Sequence, residues 1–141
     1  MQFTTALTIL AAAGTSLAAP APAAAKSMMA AGTTWTIENF QRTCNSGDTS
    51  CHISFSVNIN DGSAATACSY DVNGSPASDA AYNSLRCGPY TVGSSHDPNG
   101  FTVLSVHNDN LIVYPGYTDA ELDGGNVVKP DKSYTPSAFP G

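Results

Sequence analysis

The stretch Trp35-Thr-Ile-Glu-Asn-Phe-Gln-Arg-Thr-Cys-Asn-Ser-Gly-Asp-Thr-Ser-Cys-His-Ile-Ser-Phe-Ser-Val-Asn-Ile59 decides the fold. Its second half alternates cleanly, with Ile53, Phe55, Val57 and Ile59 on one face, as a half-buried strand requires. Its first half alternates from Trp35 and then changes phase near Asn39, which reads as a β-bulge. Between them lie six small, polar, turn-forming residues bracketed by Cys44 and Cys51. Two strands joined by a short loop make a hairpin. The two cysteines then face each other across its mouth, and a Cys44–Cys51 disulfide staples the loop.

That assignment depends on the compartment. Ala6 to Ala13 is apolar apart from Thr8, far short of the roughly 20 residues a membrane span needs, and fits the apolar region of a secretory signal peptide. Ser16-Leu17-Ala18 places cleavage after Ala18, because Pro20 disfavours a cut one residue later. The expected organisation is a signal peptide over 1–18, an Ala/Pro-rich flexible arm over 19–32, and a single secreted β domain over 33–141. A secreted, extracellular chain oxidises its thiols, and four cysteines imply two disulfides. With Cys44 and Cys51 paired, Cys68–Cys87 follows by elimination. The gaps of six, sixteen and eighteen residues do not match the closely spaced cysteine pairs of a zinc site, and no Cys-x-x-Cys redox motif occurs.

The rest of the chain reads as more strands. Thr66 to Val72 puts Cys68, Tyr70 and Val72 on one face. Ser78 to Leu85 reads as one helical turn or a loop, and Arg86 to Val92 as a strand broken at Gly88-Pro89. Phe101 to His107 and Leu111 to Tyr114 are apolar on both faces and expected at the centre. The tail, with Pro130, Pro136 and Pro140, reads as extended. Strands separated by turns, with no long helical pattern, define an all-β fold: a small antiparallel sandwich or barrel stapled by two disulfides.

Charge narrows the partners. Five Lys and Arg against eleven Asp and Glu give a net charge of −6, which makes nucleic acid an unsuitable ligand. Ser95-His96-Asp97 carries the residue types of a hydrolase triad, but adjacent side chains do not aim at one another as a relay requires, so it reads as a polar loop. Asp119-Ala-Glu121-Leu-Asp123-Gly124 matches the first half of a calcium loop. Pro130 stands where the closing glutamate belongs, so it reads as a solvated acidic turn. His52, His96 and His107 are scattered. No catalytic residue, metal set or cofactor loop stands out. Asn73-Gly74-Ser75 is a glycosylation sequon followed by Pro76. Tyr82, Tyr90, Tyr114, Tyr117 and Tyr134 are candidates for a sugar-stacking face, with Tyr114-Pro-Gly-Tyr117 the expected exposed pair.

Trp35 to Cys44, Gly74-Ser-Pro-Ala-Ser78, Gly100-Phe-Thr-Val-Leu-Ser105, Tyr114-Pro-Gly-Tyr-Thr-Asp119 and Lys129-Pro-Asp-Lys-Ser-Tyr-Thr-Pro136 together resemble the small secreted fungal hypersensitive response-inducing proteins. The resemblance runs from Trp35 to about Pro136. It implies a disulfide-bonded, mainly β elicitor or effector whose partner is a plant cell-surface or apoplastic component. It supplies no catalytic set. The alternatives from other classes are a module binding cell-wall polysaccharide and a small secreted hydrolase.

Overall fold

The computed structural model describes residues 34–139, and both the signal peptide and the arm expected before Thr33 lie outside them. Among these residues ten strands form two antiparallel sheets. The first sheet contains β1 (Trp35–Cys44), β2 (Ser50–Asn58), β3 (Thr66–Asn73) and β9 (Lys132–Tyr134), in the order β3-β2-β1-β9. The second contains β4 (Tyr82–Cys87), β5 (Tyr90–Asp97), β6 (Phe101–His107), β7 (Leu111–Val113) and β10 (Ser137–Ala138), in the order β10-β7-β6-β5-β4. The short strand β8 (Gly116–Thr118) also pairs with β6. One helical turn, α1 (Asp119–Leu122), and 3-10 turns at Ala77–Asp79 and Asp123–Gly125 join them. The two sheets make a sandwich, not a closed barrel.

The hairpin is built as the alternation requires. β1 and β2 pair from Thr36↔Asn58 to Cys44↔Cys51, with the register shifting between Glu38 and Gln41. At the shift Asn39 takes a left-handed φ of 54°, a conformation that asparagine tolerates better than most residues. The extra residue moves the buried set of β1 from Trp35 and Ile37 to Phe40. The bulge also receives the C-terminal segment: the Asn39 N–H donates to Asp131 Oδ1 at 2.9 Å, and the Val128 N–H to the Phe40 carbonyl at 2.8 Å.

The core lies between the sheets. Ile53, Phe55 and Val57 of β2 and Cys68 and Val72 of β3 face Val92, Leu104, Val106 and Val113 of the second sheet. Phe40 stacks on Phe55 (centroids 5.5 Å apart) and on Tyr117 (4.2 Å), so one aromatic pile joins the layers. Tyr70 of β3 and Tyr82 of β4 meet through their hydroxyls at 2.7 Å. Disulfides Cys44–Cys51 and Cys68–Cys87 are both formed; the first closes the hairpin and the second joins the edge strands of the two sheets.

Four expectations change. Gly88-Pro89 is a turn between two strands rather than a break in one, because Gly88 adopts φ +58° and Cys87↔Tyr90 closes a tight hairpin. The segment read as helix or loop up to Leu85 holds the 3-10 turn and then enters β4 at Tyr82; Ser84, at φ 61°, disturbs its alternation. Ser95-His96-Asp97 is strand, not loop, paired with Val103, Thr102 and Phe101. β6 is central as expected, but β7 has only the two-residue β10 outside it.

Between β7 and β8 the register with β6 runs on without a shift. Val106↔Val113 and Val103↔Gly116 leave Ser105 and Leu104 opposite Tyr114 and Pro115. Proline has no N–H for the ladder, so the strand is interrupted there. Pro115 keeps its carbonyl in place, accepting from the Leu104 N–H at 2.8 Å, and its ring is buried. Strand alternation then turns Tyr114 outward, where it is 59% exposed.

Candidate functional site

A cleft of about 390 Å³ opens where the stapled hairpin loop meets the turns at 77–79 and 122–125. Each wall is fixed by its own sequence. In the hairpin loop, Asn45 Oδ1 accepts from the Thr49 and Ser50 N–H groups at 2.8 and 3.2 Å. Asp48, at φ 52°, holds the neighbouring turn: its carboxylate accepts from the Ser78 N–H at 2.8 Å and from the Ser78 hydroxyl. The Ser78 hydroxyl is the main cause that holds the Asp48 carboxyl below its usual range. Arg42 reaches in from β1 and donates through Nη1 to the Ser78 carbonyl at 3.0 Å, while its Nε is buried with no hydrogen-bond partner. At the opposite wall Gly124 and Gly125 take φ of +76° and +73°, and the Gly125 carbonyl accepts from Gln41 Nε2 at 2.7 Å. Cys44, Asp48 and Cys51 cluster here with metal-ligand proximity, but the two sulfurs are bonded to each other, so no thiolate is offered.

The acidic run at 119–123 is capped helix rather than open turn. Thr118 accepts from the Glu121 N–H at 3.1 Å and Glu121 from the Thr118 N–H at 2.9 Å, a reciprocal capping box. Glu121 also pairs with Lys132 at 2.9 Å. Asp119 turns instead to His96, whose Nε2 lies 3.1 Å from it and 3.5 Å from Asp79. Asp119 and Glu121, two of the three carboxylates that spelled half a calcium loop, therefore have separate partners.

These pairs set an acid limit. Glu121 is held below its ordinary 4.5, first by the Thr118 N–H and then by Lys132; Asp131 is held below 3.8, first by the Asn39 N–H and then by Lys129. A carboxyl whose folded pKa is depressed contributes stability that is fully present above its unfolded value and is lost as pH falls through the folded one. Thermal midpoints should therefore hold steady above about pH 5 and decline below about pH 4.5. Glu121→Gln should make that decline shallower in a pH series of melting curves; an unchanged slope would remove Glu121 from the account.

Of the pair expected at the surface, Tyr114 is exposed and Tyr117 is not. Tyr117 is 2% exposed, stacked on Phe40 and covered by the Lys132 ammonium 4.7 Å from its ring centroid. Its hydroxyl is pushed above its usual pKa by burial. Tyr90 is also in the core, and Tyr82 and Tyr134 are half-buried. Asn73 is exposed at the end of β3. His107 lies against Phe139 at 4.1 Å.

One constellation was not legible in the sequence. His52 Nδ1 is 2.7 Å from Asp71 Oδ1, and its Nε2 is 2.9 Å from Ser69 Oγ. That is the connectivity of a serine–histidine–aspartate relay. The signal was available only through register: Cys51↔Val72 puts His52 opposite Asp71 and diagonal to Ser69 on the outer face of the first sheet. The array lies open to water, with the His52 and Asp71 side chains 52% and 68% exposed, and it does not line the cleft beside the hairpin loop. A relay of this kind is productive when a pocket holds the acyl group and N–H donors face the oxyanion. A cross-strand polar ladder on a solvated sheet face makes the same contacts.

The Effector TSP1 family model matches residues 36–139. The chain is also 45% identical over 149 aligned positions to a protein of Hypocrea virens (strain Gv29-8 / FGSC 10586) described as Effector TSP1. That alignment covers 99% of this chain and 100% of its relative.

Proposed function

As the chain belongs to the Effector TSP1 family, we propose that it is a fungal effector released through a signal peptide, stapled by its disulfides, and perceived by plant cells through its folded surface without catalysis. The observation that carries recognition over catalysis is the engagement of the titratable side chains. His96 sits between two carboxylates with its side chain 13% exposed, and Glu121 is held by a cap and a lysine. His96 contacts no hydroxyl or thiol among the described residues, and the hydroxyl beside Glu121 is that of Thr118, which caps the helix.

The test is infiltration of purified protein into leaves beside a reduced and alkylated control. Removing a catalytic group costs roughly 10² or more in rate. His52→Ala, His96→Ala, His107→Ala and Asp97→Ala should each leave the response within about twofold of the parent, well inside that loss. The reduced, alkylated protein should elicit far less. A single folded variant that abolishes the response overturns the non-catalytic reading.

A second reading, a small hydrolase, is favoured by the Ser69–His52–Asp71 contacts alone. A fluorophosphonate probe tests it: Ser69 Oγ would attack phosphorus, the P–F bond would break, and the hydroxyl proton would pass to His52. Labelling of Ser69 that disappears in His52→Ala would support hydrolase chemistry; an unlabelled Ser69 removes it.

A further inference from the structure

We infer that the outer face of the second sheet carries a binding groove for a neutral polysaccharide, with Tyr114 as its stacking platform. The groove is a row of residues running across the strands. Tyr114 lies opposite Ser105, Ser105 pairs with Gly93, and Gly93 abuts the irregular start of β4 at Asn83. At about 4.8 Å between strands the row is roughly 14 Å long. Together with Ser95 and Val103 from the adjoining row, these residues enclose about 310 Å³.

A flat sheet face does not make a groove unless side chains are missing from it. Here two are. A Cβ on Gly93 would stand 2.9 Å from Ser105 Oγ and 3.3 Å from the Tyr82 carbonyl, so the floor admits no side chain at that point. Gly116, opposite Val103, has open space where its Cβ would be. The two glycines lower the surface on either side of Ser105 and Val103, and Tyr114 rises beside the notch.

The lining selects the ligand class. It holds serine hydroxyls, an asparagine amide, the aliphatic residues Val103 and Leu104, half-buried Tyr82 and exposed Tyr114, and among the described residues no charged side chain. The Ser95 and Ser105 hydroxyls and the Asn83 amide make no hydrogen bond to other described residues, so their donors and acceptors are free for a ligand. A charged ligand would find no counter-ion, and a purely apolar one would leave those polar groups unpaired at a cost. A sugar ring satisfies both demands: its hydroxyls bond to the serines and the amide, and its C–H face lies on an aromatic ring. Phe101, 36% exposed on the same face of β6, extends the aromatic surface beyond Val103. Two of the three exposed large hydrophobic residues thus lie along this face.

The inference is independent of the effector reading, since polymer binding is measured without plant cells. The experiment is depletion of the folded protein from solution by insoluble cellulose, curdlan (a β-1,3-glucan) and chitin, with polygalacturonate as the charged control. Retention on cellulose points to the plant wall; retention on curdlan or chitin points to the fungal one. Either supports the groove. Tyr114→Ala should weaken retention about tenfold or more, as truncating an aromatic anchor does, while Tyr114→Phe should retain most of it. Ser95→Arg, which projects into the groove from an exposed position, should also abolish retention. Both positions are exposed, so melting curves should match the parent. Failure of all three neutral polymers to deplete the parent overturns the inference, as does depletion by polygalacturonate alone. Unchanged binding by Tyr114→Ala and Ser95→Arg would overturn it equally.

Discussion

Phe40→Ala should cost about 3–5 kcal/mol of folding stability, the range for removing a buried phenylalanine from a core. The side chain is 3% exposed and has a ring on each side: Phe55 from its own sheet and Tyr117 from the other. Deleting it opens a cavity where the sheets meet and leaves the Phe55 and Tyr117 rings without the ring between them. Domains of this size are stable by only about 5–15 kcal/mol, and each kcal/mol shifts the melting point by roughly 4–8 °C. A calorimetric midpoint lowered by about 12 °C or more is expected. Phe40→Leu should lose less than half as much, since it keeps most of the volume. A Phe40→Ala midpoint within about 3 °C of the parent would mean the pile does not hold the layers together.

Replacing Cys68 and Cys87 together with alanine should cost about 3.3 kcal/mol in the chain-entropy account, against about 2.5 kcal/mol for Cys44 and Cys51, because the closed loop is longer. The structural difference points the same way. The ends of the first hairpin are already held by Asn45 and by the β1–β2 ladder. Cys68 and Cys87 instead join edge strands of different sheets, which also meet through the Tyr70–Tyr82 contact. Urea titrations of both double variants decide the order. A larger loss from the Cys44/Cys51 pair would show that loop length is not what sets these contributions.

How much of this was legible in the chain depended on pattern length. β2 and β3 run nine and eight residues with alternation and announced themselves, while the seven residues of β6 showed as a strand apolar on both faces. The bulge showed as a phase slip at Asn39 because hydrophobic residues stand on both sides of it. β4 and β5 were obscured because Ser84 breaks the period and Ser94-Ser95-His96 fills a strand with polar residues. β8, β9 and β10 have three, three and two residues, too few for any period to appear. The site residues divide the same way. Tyr-Pro-Gly-Tyr has the composition of an exposed turn, and nothing local says that Lys132, fifteen positions beyond Tyr117, lies over its ring. The Gly93–Ser105–Tyr114 row exists only across strands, so register had to be known before it could be seen.

The last segment of the chain gives one strand to each layer: β9 lies beside β1 and β10 beside β7. During synthesis, then, neither sheet has its final border until residues 132–138 have left the ribosome. The nascent molecule until that moment presents bare backbone at the flanks of β1 and β7, the kind of surface that recruits other extended chains. A product shortened by ten residues loses little mass and almost no core, yet it bares the long flank of β1 and the flank of β7 in addition to the borders at β3 and β4 that the intact sheets already have.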